Sequence, residues 1–229
     1  MNRHISEQYD EELQTARTLL MEMGGLVEQQ IQDACASLIQ QDSSRAHDVV
    51  ELEKRVNQLE KALDDQCIQI IARRQPAASD LRMMIAVLRA TTDLERIGDE
   101  SERIAKMALA VSHLEYPGDH YADVRAMNER VSSMVSNCLD AFARTDAKSA
   151  ERVILADEEV DDAYQDILKR LMADMQKQPE AVELSLNIIW VARALERIGD
   201  HAKNIAEYVV YLVRGEDVRH NHNPVEDSA

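Results

Sequence analysis

Two short acidic clusters carry the chemistry in this sequence. Glu95 and Asp99, and again Glu196 and Asp200, lie four residues apart within an identical hexapeptide, Leu94-Glu95-Arg96-Ile97-Gly98-Asp99 and Leu195-Glu196-Arg197-Ile198-Gly199-Asp200. On a helix advancing about 100° per residue each pair shares one face, joined by Glu102 in the first copy and Glu207 in the second. That face is expected to point away from the core seam. Like charges at this spacing destabilise a helix by a few tenths of a kcal/mol, and Gly98 and Gly199 in the helix interior each cost about 1 kcal/mol relative to Ala. A hard cation such as Mg²⁺, Mn²⁺ or iron, held by carboxylate oxygens from two helices, would offset both costs, with the glycine allowing close approach. The alternative is a set of solvated acids balanced by Arg96 and Arg197, with glycine serving helix packing.

A cation site needs ligands from a neighbouring helix, and the preceding helix of each half offers a pair at equal spacing. These are Asp157 with Asp161 in the second half and Glu53 with Asn57 in the first. Asn57 brings less charge than Asp161, so the first site is expected to hold cations more weakly. Other chemistries fare worse. A di-iron oxidase of the ferritin type wants Glu-x-x-His on core-facing helices, whereas His201 follows Glu196 by five residues and the first copy has Glu100 in its place. The sequence has no phosphate-cradling glycine loop and no nucleophile elbow, and only His220 and His222, in the polar tail, approach a zinc spacing. No residue is assigned a catalytic role.

The elements that must position these acids are helices, and they are written twice. Beyond the hexapeptide, Ile104-Ala105 returns as Ile205-Ala206, Gln75-Pro76 as Gln178-Pro179, and Asp42-Ser43 as Asp146-Ala147. Leu52, Val56, Leu59, Leu63 and Cys67 make one helical stripe; Ala156, Val160, Ala163, Ile167 and Leu171 make its counterpart. Leu94, Ile97, Ser101, Ile104 and Ala108, and likewise Leu195, Ile198, Ala202, Ile205 and Val209, form the seams beside the acids. The punctuation predicts helices over 6–41, 44–74, 79–113, 121–144, 147–177 and 180–214, with Ser79 and Gln178 as N-caps, Gly24-Gly25 softening the first helix, and Gly215 stopping the last. The fold class is therefore all-α: two pseudo-symmetric antiparallel three-helix bundles, over 6–115 and 120–215, joined at Tyr116-Pro117-Gly118-Asp119 and followed by a flexible tail, 216–229.

Composition narrows the function. Forty-three acidic against 26 basic residues give a formal charge of -17, which repels phosphate backbones and anionic headgroups and excludes nucleic acid as a partner. The basic residues form no run and read as a solvated helix surface. Cys35, Cys67 and Cys138 are far apart and read as small core residues of a reducing compartment. The N-terminus lacks the apolar region of a signal peptide, and the longest uncharged stretch, Leu184 to Ala192, is far short of the roughly 20 residues that span a bilayer, so membrane contact is expected only through partners.

With the repeated Leu-Glu-Arg-Ile-Gly-Asp in view, the chain closely resembles the PhoU family of bacterial phosphate-uptake regulators. Supporting stretches are Met23-Gly24-Gly25 with Val27-Glu28-Gln29-Gln30, Ala72-Arg73-Arg74-Gln75-Pro76, Ser79-Asp80-Leu81-Arg82, Asp140-Ala141-Phe142-Ala143-Arg144 and Ile205-Ala206-Glu207. The resemblance implies a cytoplasmic, non-enzymatic, often dimeric negative regulator of the phosphate-starvation response, an adaptor between the phosphate ABC transporter and its sensor histidine kinase. The family's acidic signature maps onto Glu95 with Asp99, Glu196 with Asp200 and Asp157 with Asp161, and imperfectly onto Glu53 with Asn57. Competing expectations are a metal-dependent enzyme using the acidic faces and a purely structural helical scaffold.

Overall fold

The computed structural model describes residues 2–112, 121–179 and 182–215, with side chains from residue 7 onward. These form six helices: α1 (Asn2–Gln40), α2 (Ser43–Arg74), α3 (Ala78–Val111), α4 (Ala122–Arg144), α5 (Ala147–Lys177) and α6 (Val182–Arg214). Helices α1 to α3 make one antiparallel bundle and α4 to α6 the other, and the bundles join where α3 packs on α6 and α1 on α4. Tyr116-Pro117-Gly118-Asp119 and the tail carrying His220 and His222 lie outside the described residues.

The duplication extends to how the first turn of each half is built. Gln41 (φ 54°) and Thr145 (φ 53°) turn the chain into the left-handed region at the ends of α1 and α4. The next residue closes the same six-residue loop in both halves, Asp42 N–H donating to Ser37 O and Asp146 N–H to Ala141 O, each at 2.9 Å. Asp42 then caps α2 by accepting from Arg45 N–H at 3.1 Å, and Asp146 caps α5 by accepting from Lys148 and Ser149 N–H at 3.0 and 3.2 Å. Each cap satisfies amides that would otherwise lack partners and contributes about 1 kcal/mol. Gly215 (φ +74°) stops α6 as expected, its N–H donating to Tyr211 O at 2.8 Å.

Two local expectations differ from the structure. Ser79 lies inside the first turn of α3, whose N-cap is Ala77 with no side-chain bond, because the left-handed Gln75 has already redirected the chain before Pro76. Gln178 closes α5 as its C-cap, donating its N–H to Asp174 O, rather than opening the next helix. Gly24 and Gly25 lie inside α1, which runs unbroken through them. Gly24 admits Leu139 of α4: a Cβ there would stand 2.8 Å from Leu139 Cδ2 and force that side chain to shift at the α1–α4 contact between bundles.

Every residue of the two expected seams is buried, and one continuous core runs through both bundles. Phe142, the single phenylalanine, is fully buried at the base of α4. Cys35, Cys67 and Cys138 are free and buried, and burial pushes the Cys35 thiol up to about 12. No helix among the described residues is long and apolar enough to cross a membrane.

Candidate functional site

Each hexapeptide sits at the middle of its helix, facing the helix before it, and at Gly98 the missing side chain is what lets that neighbour approach. A Cβ at Gly98 would lie 2.5 Å from Glu53 Oε2 and 3.2 Å from Gln30 Oε1; at Gly199 it would lie 3.3 Å from Val160 Cγ1 and 3.7 Å from Asp157 Oδ1. The structure thus brings α2 against α3 through Glu53 and α5 against α6 through Asp157, the pairing the spacing called for. The two halves differ in tightness. Gly199→Ala should therefore be neutral or mildly stabilising, since the helix gains about 1 kcal/mol and Val160 needs to move only slightly. Gly98→Ala should displace the buried Glu53 carboxylate and lower the unfolding temperature, which a pair of thermal melts would compare.

The expectation that the acids point away from the core holds only in part. Glu53, Asp157 and Glu196 are 4%, 3% and 9% exposed, because the acidic face of α3 and α6 is the one that packs on α2 and α5. Glu95, Asp99 and Asp200 are half-buried, and Asp161 is exposed. Asn57 is half-buried on α2.

In the first half Gln30 Nε2 donates to Glu53 Oε2 at 2.8 Å, while Gln30 Oε1 and Glu53 Oε1 accept no hydrogen bond. Glu95 Oε2 also accepts none, with only Arg96 Nε at 3.4 Å. Burial, reinforced by Asp99, Glu102 and Glu95 and opposed by the Gln30 bond, pushes the Glu53 carboxyl up to about 7. Burial and Asp99 raise Glu95 as well. Such orphaned, buried acceptor oxygens around a glycine are what a proton or a hard cation would satisfy.

The second half carries its own cation. Lys203 Nζ donates to Asp157 Oδ2 at 2.6 Å, and this pairing holds the ammonium protonated even though burial pulls the other way. The corresponding position after Gly98 is Glu102, which adds charge of the opposite sign. Arg193 also reaches Glu196 Oε1, leaving Glu196 Oε2 without a partner. Burial first, then Asp200, push Glu196 up to about 7, and burial with Asp157 and Asp161 raises Asp200. Neither Lys203 nor Gln30 was singled out from the sequence. Lys203 carried a signal, standing three residues after Asp200 where the first copy has Glu102, but its partner on α5 is visible only in three dimensions.

The donor set fits a hard, oxygen-preferring cation better than any soft metal, since it holds carboxylates and an amide and no thiolate. Among the described residues, however, no three His, Cys, Asp or Glu side chains are gathered into a ready-made metal shell. The acids of each half stand close enough to raise one another's proton affinity without converging on one point.

Comparison with known proteins matches this duplicated architecture. A sequence model of the PhoU domain fits residues 20–108 and again 124–209, one copy per bundle. The chain is 48% identical over 220 residues to the phosphate-specific transport system accessory protein PhoU homolog of Pseudomonas aeruginosa, covering 96% of this chain and 91% of that one. It is 40% identical over 223 residues to the phosphate-specific transport system accessory protein PhoU of Escherichia coli K12, again covering 96% and 91%. The crystal structure of PhoU from P. aeruginosa superposes with a TM-score of 0.88 at 47% identity, over 91% of this chain and 100% of that one. The phosphate transport system regulatory protein PhoU from Streptococcus pneumoniae gives 0.84 at 28% identity, over 92% and 99%. A duplicated three-helix unit, an acidic hexapeptide in each copy and near-complete coverage of these relatives place the chain in the PhoU family.

Proposed function

We propose that this protein is an accessory component of a phosphate-specific transport system and acts as a negative regulator of the phosphate-starvation response. In this reading it is a non-enzymatic, cytoplasmic adaptor, working as a homodimer, that couples the phosphate ABC transporter to its sensor histidine kinase and modulates phosphate uptake. The observation that carries the reading is the pair of family domains, one per bundle, in a chain that aligns with accessory proteins of that system along nearly its whole length.

The acidic sets serve this role as cation sites for Mg²⁺, Mn²⁺ or iron that shape the bundle surfaces. Asn57 argued for weaker binding in the first half. The orphaned oxygens around Gly98 and the ammonium already seated on Asp157 argue the opposite order: Glu53, Glu95 and Asp99 load a divalent cation first, and Asp157, Asp161, Glu196 and Asp200 load less well while Lys203 is present.

Deleting the gene and growing the strain in excess phosphate should raise alkaline phosphatase activity, and restoring the intact gene should suppress it. Complementation with Glu53→Gln and Glu95→Gln should fail if the first cation site is needed. Unchanged low activity in the deletion strain would defeat the regulatory reading.

A further inference from the structure

The joint between the bundles holds a basic cavity that the acidic sets do not explain. Arg89, Asp93, Arg96 and Glu100 follow one face of α3, and Arg197, His201, Asn204 and Tyr208 follow one face of α6 at the same helical spacing. Where α3 crosses α6 antiparallel, these faces meet. Asp93 is almost fully buried and accepts from Tyr208 Oη at 2.8 Å, Asn204 Nδ2 at 3.1 Å and His201 Nδ1 at 2.7 Å. Because a carboxylate accepts, the histidine proton sits on Nδ1 and the ring orientation is fixed. Glu100, 2% exposed, reaches across to Arg197 NH1 at 2.7 Å and holds that guanidinium in place.

What remains open is a shallow, solvent-facing depression of about 470 Å³ lined by Arg89, Thr92, Asp93, Arg96, Arg197, His201 and Tyr208. Both acids of the joint are consumed in orienting its bases. Arg89 lies over the Tyr208 ring, 5.7 Å from its centre, and among the described residues it forms no ion pair. Arg96 is half-exposed and only loosely held, at 3.4 Å from Glu95 and 3.5 Å from Asp99. Three guanidiniums and an oriented imidazole thus surround a space with one carboxylate in it, in a protein whose formal charge is -17.

We propose that this cavity binds a phosphate group directly, as free orthophosphate or a small phosphate monoester, with Arg89, Arg96 and Arg197 as its charged ligands and without any metal. Guanidinium forks match tetrahedral oxyanions in geometry as well as charge. Charges beyond about 8 Å are largely screened at physiological salt; within that range Asp93, Glu95, Asp99 and Glu100 offset the arginines, so the site rests on guanidinium geometry and on Arg89, which carries no ion pair among the described residues. Each half of the duplication supplies one arginine of the hexapeptide, Arg96 and Arg197, so the site exists only where the two bundles meet. The inference stands on the cavity and not on the regulatory reading, and its test measures binding alone.

The full-length protein in excess chelator would be titrated calorimetrically with inorganic phosphate and, separately, with glycerol phosphate. Binding of either with Kd below about 1 mM supports the site, and the tighter of the two names the source of the phosphate. Arg89→Glu should weaken it about tenfold or more and Arg96→Gln severalfold, while Lys169→Glu, on the far side of α5, should leave it within about twofold. Thermal melts of each variant establish that it is folded. No binding of either ligand by the chelated wild-type protein, or binding that folded Arg89→Glu and Arg96→Gln proteins retain in full, would overturn the proposal.

Discussion

Stripped of divalent cations, the protein should unfold at a temperature roughly 10 °C lower near pH 7.5 than near pH 5. Glu53 and Glu196 are both pushed up to about 7 by burial and by neighbouring carboxylates, from an ordinary value of 4.5. Between those values the folded state holds more protons than the unfolded one, so stability is fully present below about 4.5 and is lost as pH rises through about 7. The two groups together contribute on the order of 4 kcal/mol across this window, after allowance for partial solvent screening. Glu95, Asp161 and Asp200, also raised, act in the same direction. Glu12, held down by the bidentate Arg74 fork at 2.9 and 2.7 Å, acts in the opposite direction but only as pH falls below the ordinary carboxylate range, so it does not mask the effect. General self-repulsion of an acidic chain would also grow with pH, and single variants separate the two causes. Glu53→Gln or Glu196→Gln should flatten the slope and raise the melting temperature of the cation-free protein at neutral pH. Added Mg²⁺ or Mn²⁺ should restore the wild-type protein at pH 7.5 and leave Glu53→Gln largely unmoved. A melting temperature that stays level or climbs from pH 5 to 7.5 in chelator would show that these carboxylates are not held protonated by the fold.

Lys203→Met should cost about 3–5 kcal/mol at neutral pH in chelator, because it leaves Asp157 charged, almost fully buried and without its partner. The double variant Lys203→Met with Asp157→Asn should recover most of that loss, since removing both charges also removes the need for either. The single variant should be rescued by a divalent cation much more strongly than the wild-type protein is. Its Mn²⁺ stoichiometry by calorimetry should rise, because the ammonium that excludes a cation from the second acidic set has gone. A small loss with unchanged stoichiometry would mean that Lys203 is an ordinary surface base that happens to rest on Asp157. The reverse change in the first half, Glu102→Lys, should place an ammonium near Glu53 and reduce cation binding there.

Most of the fold was legible in the sequence. Helix content, the duplication, the starts of α2 and α5 and the end of α6 follow from local forces, namely 3.6-residue periodicity, aspartate caps and a glycine stop, each acting within a few residues. The buried seams Leu94 to Ala108 and Leu195 to Val209 were fixed in the same way. So were the candidate acids, because glycine beside a like-charged pair is costly on an isolated helix and the cost is written twice. Where local reading failed, the deciding contact lay on another helix: Gly24 meets Leu139 of α4, and the close seat of Glu53 answers to Gly98.

Only the tertiary structure decided how the charges meet. Periodicity gives the angle of a side chain about its own helix axis and says nothing about which helix stands opposite. Hence Arg89, Arg96 and Arg197, scattered along the chain and read there as solvated, converge on one cavity once α3 crosses α6. Likewise Lys203 and Glu102 occupy matching places in identical frameworks, yet one neutralises a buried carboxylate and the other adds to a set already short of cations. The sequence by itself determined the duplicated helical frame and the acids at its centre. Pairing across helices, a matter of a few ångströms at low local dielectric, determined which half of that frame has its buried carboxylate paired with an ammonium and where three arginines gather at the joint of the bundles.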